Sequence, residues 1–215
     1  MNEPFFSVII PAHNSEQYIK VGLDSIKSQT FTDYELIVVC DCCTDNTEKI
    51  AREYTNKVYK CAFGSAGGAR NIGMDHARGE WILFMDDDDW WMNENAFETI
   101  AKTCKSTNSD IVAFSFIFKD DGYAKCDKSW IAVWNKAWRN SYLSSKPYRF
   151  PTTLFWDDVK FAEEAHPNAT VTLLDVPLYF YNFPREGCVT MRKQRGEFGT
   201  RVEDDYKLLY GDKNG

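Results

Sequence analysis

The chain has 215 residues, of which 44% are hydrophobic and 27% charged, a composition typical of one globular domain. Its 25 basic and 32 acidic residues give a net charge of −7, which argues against general binding to nucleic acid. The longest uncharged apolar run, residues 111–118, is too short to cross a bilayer, and no basic signal region precedes Phe5. We therefore expect a cytoplasmic protein, with peripheral association at the inner face of the membrane left open.

The seven cysteines are an odd number without the spacing of a disulfide framework, so we expect them to be reduced. Three of them cluster in the segment Cys40-Asp41-Cys42-Cys43. A tetrahedral thiolate site would need a second Cys-x-x-Cys pair, which the sequence lacks, so zinc is disfavoured.

The first 90 residues alternate between predicted strands and predicted helices. The strands are predicted at residues 5–10, 34–40, 57–61 and 80–85, and the first two are apolar enough to be buried on both faces. Strands separated by helices imply a mostly parallel sheet with right-handed crossovers.

Local signals predict where the intervening helices begin and end. Ser15 is predicted to cap the first helix, and Asp45 with Glu48 resembles a capping box at the start of the second. The third is predicted to span residues 66–78 and to end at Gly79 in the left-handed conformation.

The second half is less regular. It has predicted helices at residues 93–104 and 158–166, and predicted strands at residues 110–118, 171–174 and 176–181. The whole pattern predicts one α/β domain over residues 1–215. Its sheet is mostly parallel, Rossmann-like and flanked by helices, and the second half is smaller and mixed.

Ligands of open α/β sheets bind beyond the carboxyl ends of the strands, so the residues after each strand are the candidate site. Pro11-Ala12-His13-Asn14 follows the first strand in place of a glycine-rich dinucleotide turn. Residues 64–68 have neither the Lys-Ser/Thr ending of a P-loop nor a nucleophile elbow. These absences disfavour a dehydrogenase, an NTPase and an α/β-hydrolase.

Four aspartates, Asp86 to Asp89, follow the fourth strand. In an extended backbone Asp86 and Asp88 would point to one side, and two carboxylates about 4 Å apart repel by roughly 4 kcal/mol at an effective dielectric constant of 20. A solvated acidic loop would tolerate this repulsion, but apolar residues flank the run on both sides. We therefore predict a divalent cation, Mg²⁺ or Mn²⁺, because the ligands are hard oxygens without a nearby histidine.

Several segments in order resemble the family-two glycosyltransferases, which have the GT-A fold. They are FSVIIPAHN at 6–14, VVCDCCTD at 38–45, GARNIG at 68–73, FMDDDD at 84–89, WNK at 134–136, WDDVKF at 156–161 and REGCVT at 185–190. The resemblance implies a nucleotide-binding half at residues 1–90 and an acceptor-side half at residues 91–215. It also implies inverting transfer from a metal-bound nucleotide sugar.

The resemblance implies a nucleotide site at the strand ends. Its members are Pro11, Ala12, His13, Asn14, Asp41, Arg70, Asp86 and Asp87. Asp41 would accept the imide N–H of uracil or thymine, and Arg70 would face the base or the diphosphate. Asp86 and Asp88 would form the D-x-D metal motif, with Asp88 the first choice as direct ligand. The cysteines beside Asp41 stand where such enzymes usually carry Asp-Asp-Gly-Ser, so the nucleotide identity and the ribose pocket stay open.

A second acidic pair, Asp157-Asp158, is the candidate for acid–base chemistry. Aspartates at the start of a helix are ordinarily caps stabilised by the helix dipole, which is the alternative interpretation. Inverting transfer needs a general base for the acceptor hydroxyl, and the family pattern favours Asp158, with Asp157 standing beside it where Glu is more common.

The predicted function is non-processive, metal-dependent transfer of one sugar from a nucleotide diphosphate, with UDP favoured, to an acceptor hydroxyl in glycan biosynthesis. A glycan, a lipid-linked saccharide or a protein would fit as acceptor, and the oligomeric state is open. Two alternatives are kept: a sugar nucleotidyltransferase, and a non-catalytic module that binds nucleotide sugars.

Overall fold

The computed structural model describes residues 3–118, 122–124, 132–183 and 188–211. Across these ranges it contains nine strands in one sheet and eight helices. The strands are β1 (Phe6–Ala12), β2 (Tyr34–Asp41), β3 (Val58–Cys61), β4 (Trp81–Phe84), β5 (Trp90–Trp91), β6 (Ile111–Phe118), β7 (Gly122–Ala124), β8 (Lys136–Arg139) and β9 (Val171–Tyr181). The helices are α1 (Ile19–Lys27), α2 (Thr47–Ala51), α3 (Ala66–His76), α4 (Ala96–Ser106), α5 (Asn140–Ser145), α6 (Asp157–Ala165), α7 (Val189–Gln194) and α8 (Arg201–Tyr210). Part of the REGCVT segment, residues 185–187, lies outside the described residues.

The sheet has the strand order β3-β2-β1-β4-β8-β6-β9-β5, with β7 paired to β6. Strands β1 to β4 are mutually parallel where they pair, as predicted. Strand β8 is antiparallel to both β4 and β6, whereas β6 and β9 are parallel to each other. Consequently β4, β6 and β9 run in the same direction as β1, and their carboxyl ends meet at one edge.

Helices cover both faces of the sheet, which explains why β1 and β2 are apolar at almost every position. Val8 and Ile10 of β1 face a cluster that contains the apolar stripe of α1 and that of α4. Ile9, between them, faces a second cluster with residues of α3, α5 and α6. This alternation is the period-two geometry of a strand, here with two buried faces.

Glu35 is an ionisable group in the otherwise apolar β2. Its carboxylate accepts hydrogen bonds from the Ser7 hydroxyl (2.6 Å) and the Arg78 backbone N–H (2.6 Å), and it is paired with Lys57. Burial raises the pKa of Glu35, but Lys57, Ser7 and the Arg78 N–H together hold it below the usual value.

Two predicted helix signals are wrong. The first helix begins at Ile19, and the Ser15 hydroxyl is buried without a partner, while the Ser15 carbonyl accepts from the N–H groups of Tyr18 and Ile19. Gly79 is not among the residues with positive φ. A Cβ there would lie 2.4 Å from the backbone N of Ser7, so glycine is required by close packing rather than by a left-handed turn.

The remaining predicted elements were found with small shifts in their bounds. The strands β5, β7 and β8 and the helices α5, α7 and α8 were not predicted. The predicted strands at 171–174 and 176–181 are one strand, β9, whose pairing with β6 shifts register beside Ser115. No helix in the described ranges is long and apolar enough to cross a membrane.

Candidate active site

The aspartate run after β4 forms a turn in which the N–H of Asp89 donates to the carbonyl of Asp86 (3.2 Å). Asp89 is 1% exposed, and its carboxylate accepts from the Tyr179 hydroxyl (2.7 Å) and the Asn182 N–H (2.8 Å). The expectation that the four aspartates are extended, with their side chains pointing alternately to two sides, is therefore wrong. Hydrogen bonds from Tyr179 of β9 and from Asn182 hold the Asp89 carboxylate in the interior. Asp86, Asp87 and Asp88 remain partly exposed.

Tyr179 of β9 is hydrogen-bonded to this acidic turn. Its hydroxyl accepts from the Asp86 N–H (3.1 Å) while it donates to Asp89. The ring is fully buried and stacks on Trp134 with a centroid separation of 5.0 Å. The position of Asp86 is thus set by packing from the second half of the chain.

Negative charge is concentrated at this turn. Burial and the neighbouring Asp88 carboxylate raise the pKa of Asp87 to about 7, and burial together with Asp86 raises the pKa of Asp89. Over the described part of the chain, no three His, Cys, Asp or Glu side chains form a complete metal site. Carboxylate oxygens are the donors that Mg²⁺ takes together with waters and substrate phosphates, so the chemistry of these side chains fits such a cation.

Arg70 of α3 joins the acidic turn to the second acidic pair. Its guanidinium donates to Asp86 (Nη2 to Oδ1, 2.7 Å) and to Asp157 (Nη1 to Oδ2, 2.8 Å). The residue is 5% exposed, and its guanidinium carbon lies 5.4 Å from the centre of the Phe150 ring. The buried guanidinium of Arg70 thus lies between two carboxylates that are far apart in sequence.

The glycines that begin α3 allow Arg70 to reach this position. A Cβ on Gly67 would lie 2.3 Å from the carbonyl oxygen of Pro151, and one on Gly68 would lie 2.6 Å from the Phe63 ring. Ser65 caps the helix, accepting from the Gly68 N–H (3.4 Å) while donating to the Thr153 carbonyl (2.7 Å). The start of α3 therefore packs directly on the segment that leads into α6.

Asp157 and Asp158 lie in the first turn of α6, after Trp156, which has φ +68°. Neither aspartate caps the helix, since the N-cap is Trp156. Burial raises the pKa of Asp157 to about 7, although Arg70 opposes the rise. Asp158 is less buried than Asp157, and burial with the Asp86 charge raises its pKa against the effect of Arg70.

The four residues predicted to follow the first strand divide into two kinds. Pro11 and Ala12 are buried within the strand, whereas His13 and Asn14 are exposed. The His13 N–H donates to Asp87 (2.9 Å) and its Nδ1 to the Asp41 carbonyl (2.6 Å). The ends of β1, β2 and β4 are thereby linked to one another.

Asp41 lies at the end of β2 and is 3% exposed. Its carboxylate accepts from the N–H groups of Phe63 (2.7 Å) and Ser65 (2.7 Å), in the loop between β3 and α3. Burial opposes ionisation, but these backbone N–H groups and that of Gly64 keep the pKa of Asp41 lowered. The carboxylate thus positions this loop, and its contact with a base stays a prediction.

Some residues that shape the site had no local sequence signal. Besides Tyr179 and Asn182, Asp205 of α8 is 6% exposed and accepts from the N–H groups of Leu154 (2.9 Å) and Phe155 (3.2 Å). These contacts hold the segment before α6. They join residues about 50 positions or more apart, so neither spacing nor periodicity could reveal them.

The fold of this chain matches those of solved glycosyltransferases. The crystal structure of Staphylococcus aureus TarS 1–349 in complex with UDP-GlcNAc matches with a TM-score of 0.78 and 25% identity, over 97% of this chain and 68% of that one. The mannosyltransferase PcManGT from Pyrobaculum calidifontis, in complex with GDP-Man and Mn²⁺, matches with a TM-score of 0.70 and 18% identity, over 100% of this chain and 66% of that one. The predicted GT-A fold is confirmed.

The sequence comparisons agree with this class. The model of glycosyl transferase family 2 matches residues 7–161, and the chain belongs to that family. Poly(ribitol-phosphate) beta-N-acetylglucosaminyltransferase TarS of Staphylococcus aureus is 30% identical over 207 residues, which are 85% of this chain and 36% of TarS. The putative glycosyltransferase EpsH of Bacillus subtilis is 29% identical over 84% of this chain and 61% of its own length. The chain therefore spans less than two thirds of these relatives.

Proposed function

We propose that the protein is an inverting, metal-dependent glycosyltransferase that moves one sugar from a UDP-sugar to an acceptor hydroxyl. The observation that carries this proposal is the double ion pair of Arg70 with Asp86 and Asp157. It brings the carboxylates expected at the donor diphosphate beside those expected at the acceptor. Such convergence of titratable groups in a ligand-binding edge is typical of an active site.

The roles of the two acidic groups follow from their surroundings. Asp86 and Asp88 are the proposed ligands of Mn²⁺ or Mg²⁺, which when bound would neutralise charge on the leaving diphosphate. Arg70 holds Asp86 in place, and Tyr179 holds the backbone of the same residue. Pro11, Ala12, His13 and Asn14 are the proposed wall of the nucleoside site.

Asp158 is the proposed general base. Asp157 is buried and its carboxylate accepts from Arg70, whereas Asp158 is half-buried and its carboxylate accepts from the N–H of its neighbour Val159 (2.8 Å). A raised pKa brings a carboxylate closer to the operating pH, where it takes a proton more effectively. As the acceptor oxygen attacks the anomeric carbon, its proton passes to Asp158 and the nucleoside diphosphate leaves.

UDP-GlcNAc is the first donor to test, because the TarS structure binds it. The name of TarS gives poly(ribitol-phosphate), a polymer that is not a protein, as what it acts on, so a glycan or a lipid-linked saccharide is a better candidate acceptor than a protein. The sheet supports treating residues 1–215 as one domain, since β8 of the second half pairs with β4 of the first half within one continuous sheet.

The test compares Asp88→Asn and Asp158→Asn with Asp75→Asn, a control at a half-exposed carboxylate paired with Arg149. We expect Asp88→Asn to lose Mn²⁺-dependent binding of UDP in calorimetry. Asp158→Asn should keep that binding and transfer sugar about 10²- to 10⁴-fold more slowly. The control should match the wild type in both measurements.

Four outcomes would contradict the proposal. Unchanged UDP affinity of Asp88→Asn in Mn²⁺ would remove the metal assignment, and wild-type turnover of Asp158→Asn would require another base. Binding of UDP-sugars with neither transfer nor slow hydrolysis would indicate a non-catalytic module. Release of pyrophosphate from UTP and a sugar phosphate would indicate a nucleotidyltransferase.

A further inference from the structure

Trp156, the residue before the second acidic pair, has a backbone conformation that is rare for a large side chain. Its φ is +68° and its ψ is +6°, in the left-handed region. Residues other than glycine are strained there, and they persist where the surrounding structure holds them, often at functional sites. The Trp156 carbonyl accepts from the Lys160 N–H (2.8 Å) in the first turn of α6. The conformation of Trp156 therefore sets the direction of the turn that carries Asp157 and Asp158.

The ring of Trp156 has a cation on its face. The Lys193 ammonium of α7 lies 3.8 Å from the centre of this ring and 5.4 Å from the centre of the Phe155 ring. Burial lowers the pKa of Lys193, which shows that the ammonium is partly desolvated. Since a cation–π contact is stronger when the cation has lost water, Lys193 is well placed to hold the Trp156 ring.

The cations beside Lys193 are engaged elsewhere. Arg192 and Arg195 both pair with Glu197 (2.9 and 2.7 Å), and Arg192 also lies over the Phe198 ring (4.7 Å). Within the described part of the chain, Lys193 itself forms no ion pair. The two aromatic rings are therefore the described partners of its charge.

Hydrogen bonding does not orient the Trp156 ring within the described structure. Its indole N–H is buried and finds no partner among the described residues. Tyr206 of α8 contacts the ring edge-on, with a centroid separation of 6.3 Å that is near the outer limit for such pairs. The Lys193 contact is the closer of the two, and a single substitution can remove it without changing either ring.

We infer that Lys193 is a positioning residue for the general base: through its contact with Trp156 it keeps the first turn of α6 in the orientation that presents Asp158 to the acceptor hydroxyl. The inference rests on the proposed function, since Asp158 is a base only if the protein transfers sugar. Without Lys193 the strained Trp156 should relax out of the left-handed region and displace Asp158. A displacement of about 1 Å can slow an enzyme by about a hundredfold.

The test compares hydrolysis of UDP-GlcNAc with binding of UDP in Mn²⁺, because water can take the place of the unidentified acceptor. Lys193→Met keeps a long side chain and removes its charge. We expect hydrolysis to be about tenfold slower, with the calorimetric affinity for UDP unchanged within about twofold. Lys193→Arg should hydrolyse at the wild-type rate, because a guanidinium also binds the face of an indole ring.

A double-mutant cycle separates the contact of ring and cation from general damage. Trp156→Gly removes the ring, while glycine adopts a positive φ without strain. It should slow hydrolysis as Lys193→Met does, and combining the two substitutions should slow it no further. The matched control is Lys105→Met, because the Lys105 ammonium lies over the rings of Phe5 and Phe31 (4.8 and 5.3 Å) near the amino end of β1. This control should match the wild type.

Several results would overturn the inference. They are hydrolysis by Lys193→Met at the wild-type rate, an equal loss in Lys193→Arg, and additive effects of the Trp156 and Lys193 substitutions. Weaker UDP binding by Lys193→Met would also overturn it, because the ammonium would then contact the donor. A wild-type protein that binds UDP-GlcNAc but neither transfers nor hydrolyses its sugar would instead refute the proposed function.

Discussion

The substitution Arg70→Met tests how strongly one buried guanidinium holds the candidate active site together. The side chains of Arg70 and Asp157 are 6% and 10% exposed, and that of Asp86 is 28% exposed. Removing the cation leaves Asp157 buried and uncompensated, and Asp86 partly so. Breaking such a pair from one side costs about 3–5 kcal/mol, which corresponds to a fall in Tm of about 6–20 °C for a chain of this size.

Urea unfolding without metal, followed by tryptophan fluorescence, measures this loss. The matched control is Arg149→Met, because the Arg149–Asp75 pair is 51% and 50% exposed and should contribute less than about 1 kcal/mol. Adding Asp157→Asn to Arg70→Met removes the stranded charge, so the double variant should be more stable than the sum of the singles by about 1–3 kcal/mol.

Equal losses of stability in Arg70→Met and Arg149→Met, or additive effects of the Arg70 and Asp157 substitutions, would contradict this prediction. Either result would mean that solvent or local rearrangement compensates the carboxylates when Arg70 is removed. The slope of unfolding against urea must stay constant for the comparison to hold.

Three further predictions concern groups whose surroundings are equally well defined. Glu35→Gln should remove stability that is present above about pH 4 and lost below it, because the folded-state pKa of Glu35 is lowered; urea unfolding from pH 3 to 7 measures this. Gly67→Ala should cost about 1–3 kcal/mol of unfolding free energy, since its Cβ would lie 2.3 Å from the Pro151 carbonyl oxygen. Tyr179→Phe should cost about 1–3 kcal/mol by removing one donor to the buried Asp89 carboxylate, which keeps the Asn182 N–H, and the acceptor of the Asp86 N–H.

Each of these has an outcome that would contradict it. A constant difference between Glu35→Gln and the wild type from pH 3 to 7 would mean that the Glu35 pKa is the same in both states. Ala66→Ser and Tyr210→Phe alter exposed side chains, so they should cost less than Gly67→Ala and Tyr179→Phe. If each of these pairs of variants lost the same free energy of unfolding, the burial of Gly67 and of Tyr179 would not explain the loss.

Predictions from the sequence succeeded where the physical cause lies within a short segment. The strands of the first half were predictable because each is a local run, and the parallel order of β1, β2 and β4 follows from the helices between them. The carboxyl-end location of the candidate site follows from that order alone.

Strand β8 shows the opposite case. It has four residues, and its Lys136 is fully buried with Nζ donating to the Ala132 carbonyl (2.6 Å) and to Asn135 (3.0 Å). A buried lysine does not fit an apolar strand pattern, and the pairing of β8 with β4 and β6 depends on residues far away in sequence. The aspartate turn was mispredicted for the same reason, since Tyr179 and Asn182 determine its conformation.

The cysteines on either side of Asp41 affect the packing beneath the candidate active site and not the positions of its carboxylates. The Asp41 carboxylate is occupied by backbone N–H groups of the β3–α3 loop, so an acidic residue is required there whatever flanks it. Cys40 and Cys43 instead lie in the cluster packed on α1 and α2. Substituting Cys43 should therefore leave Asp86, Asp88 and Arg70 in place while it alters the support of the residues that follow β1.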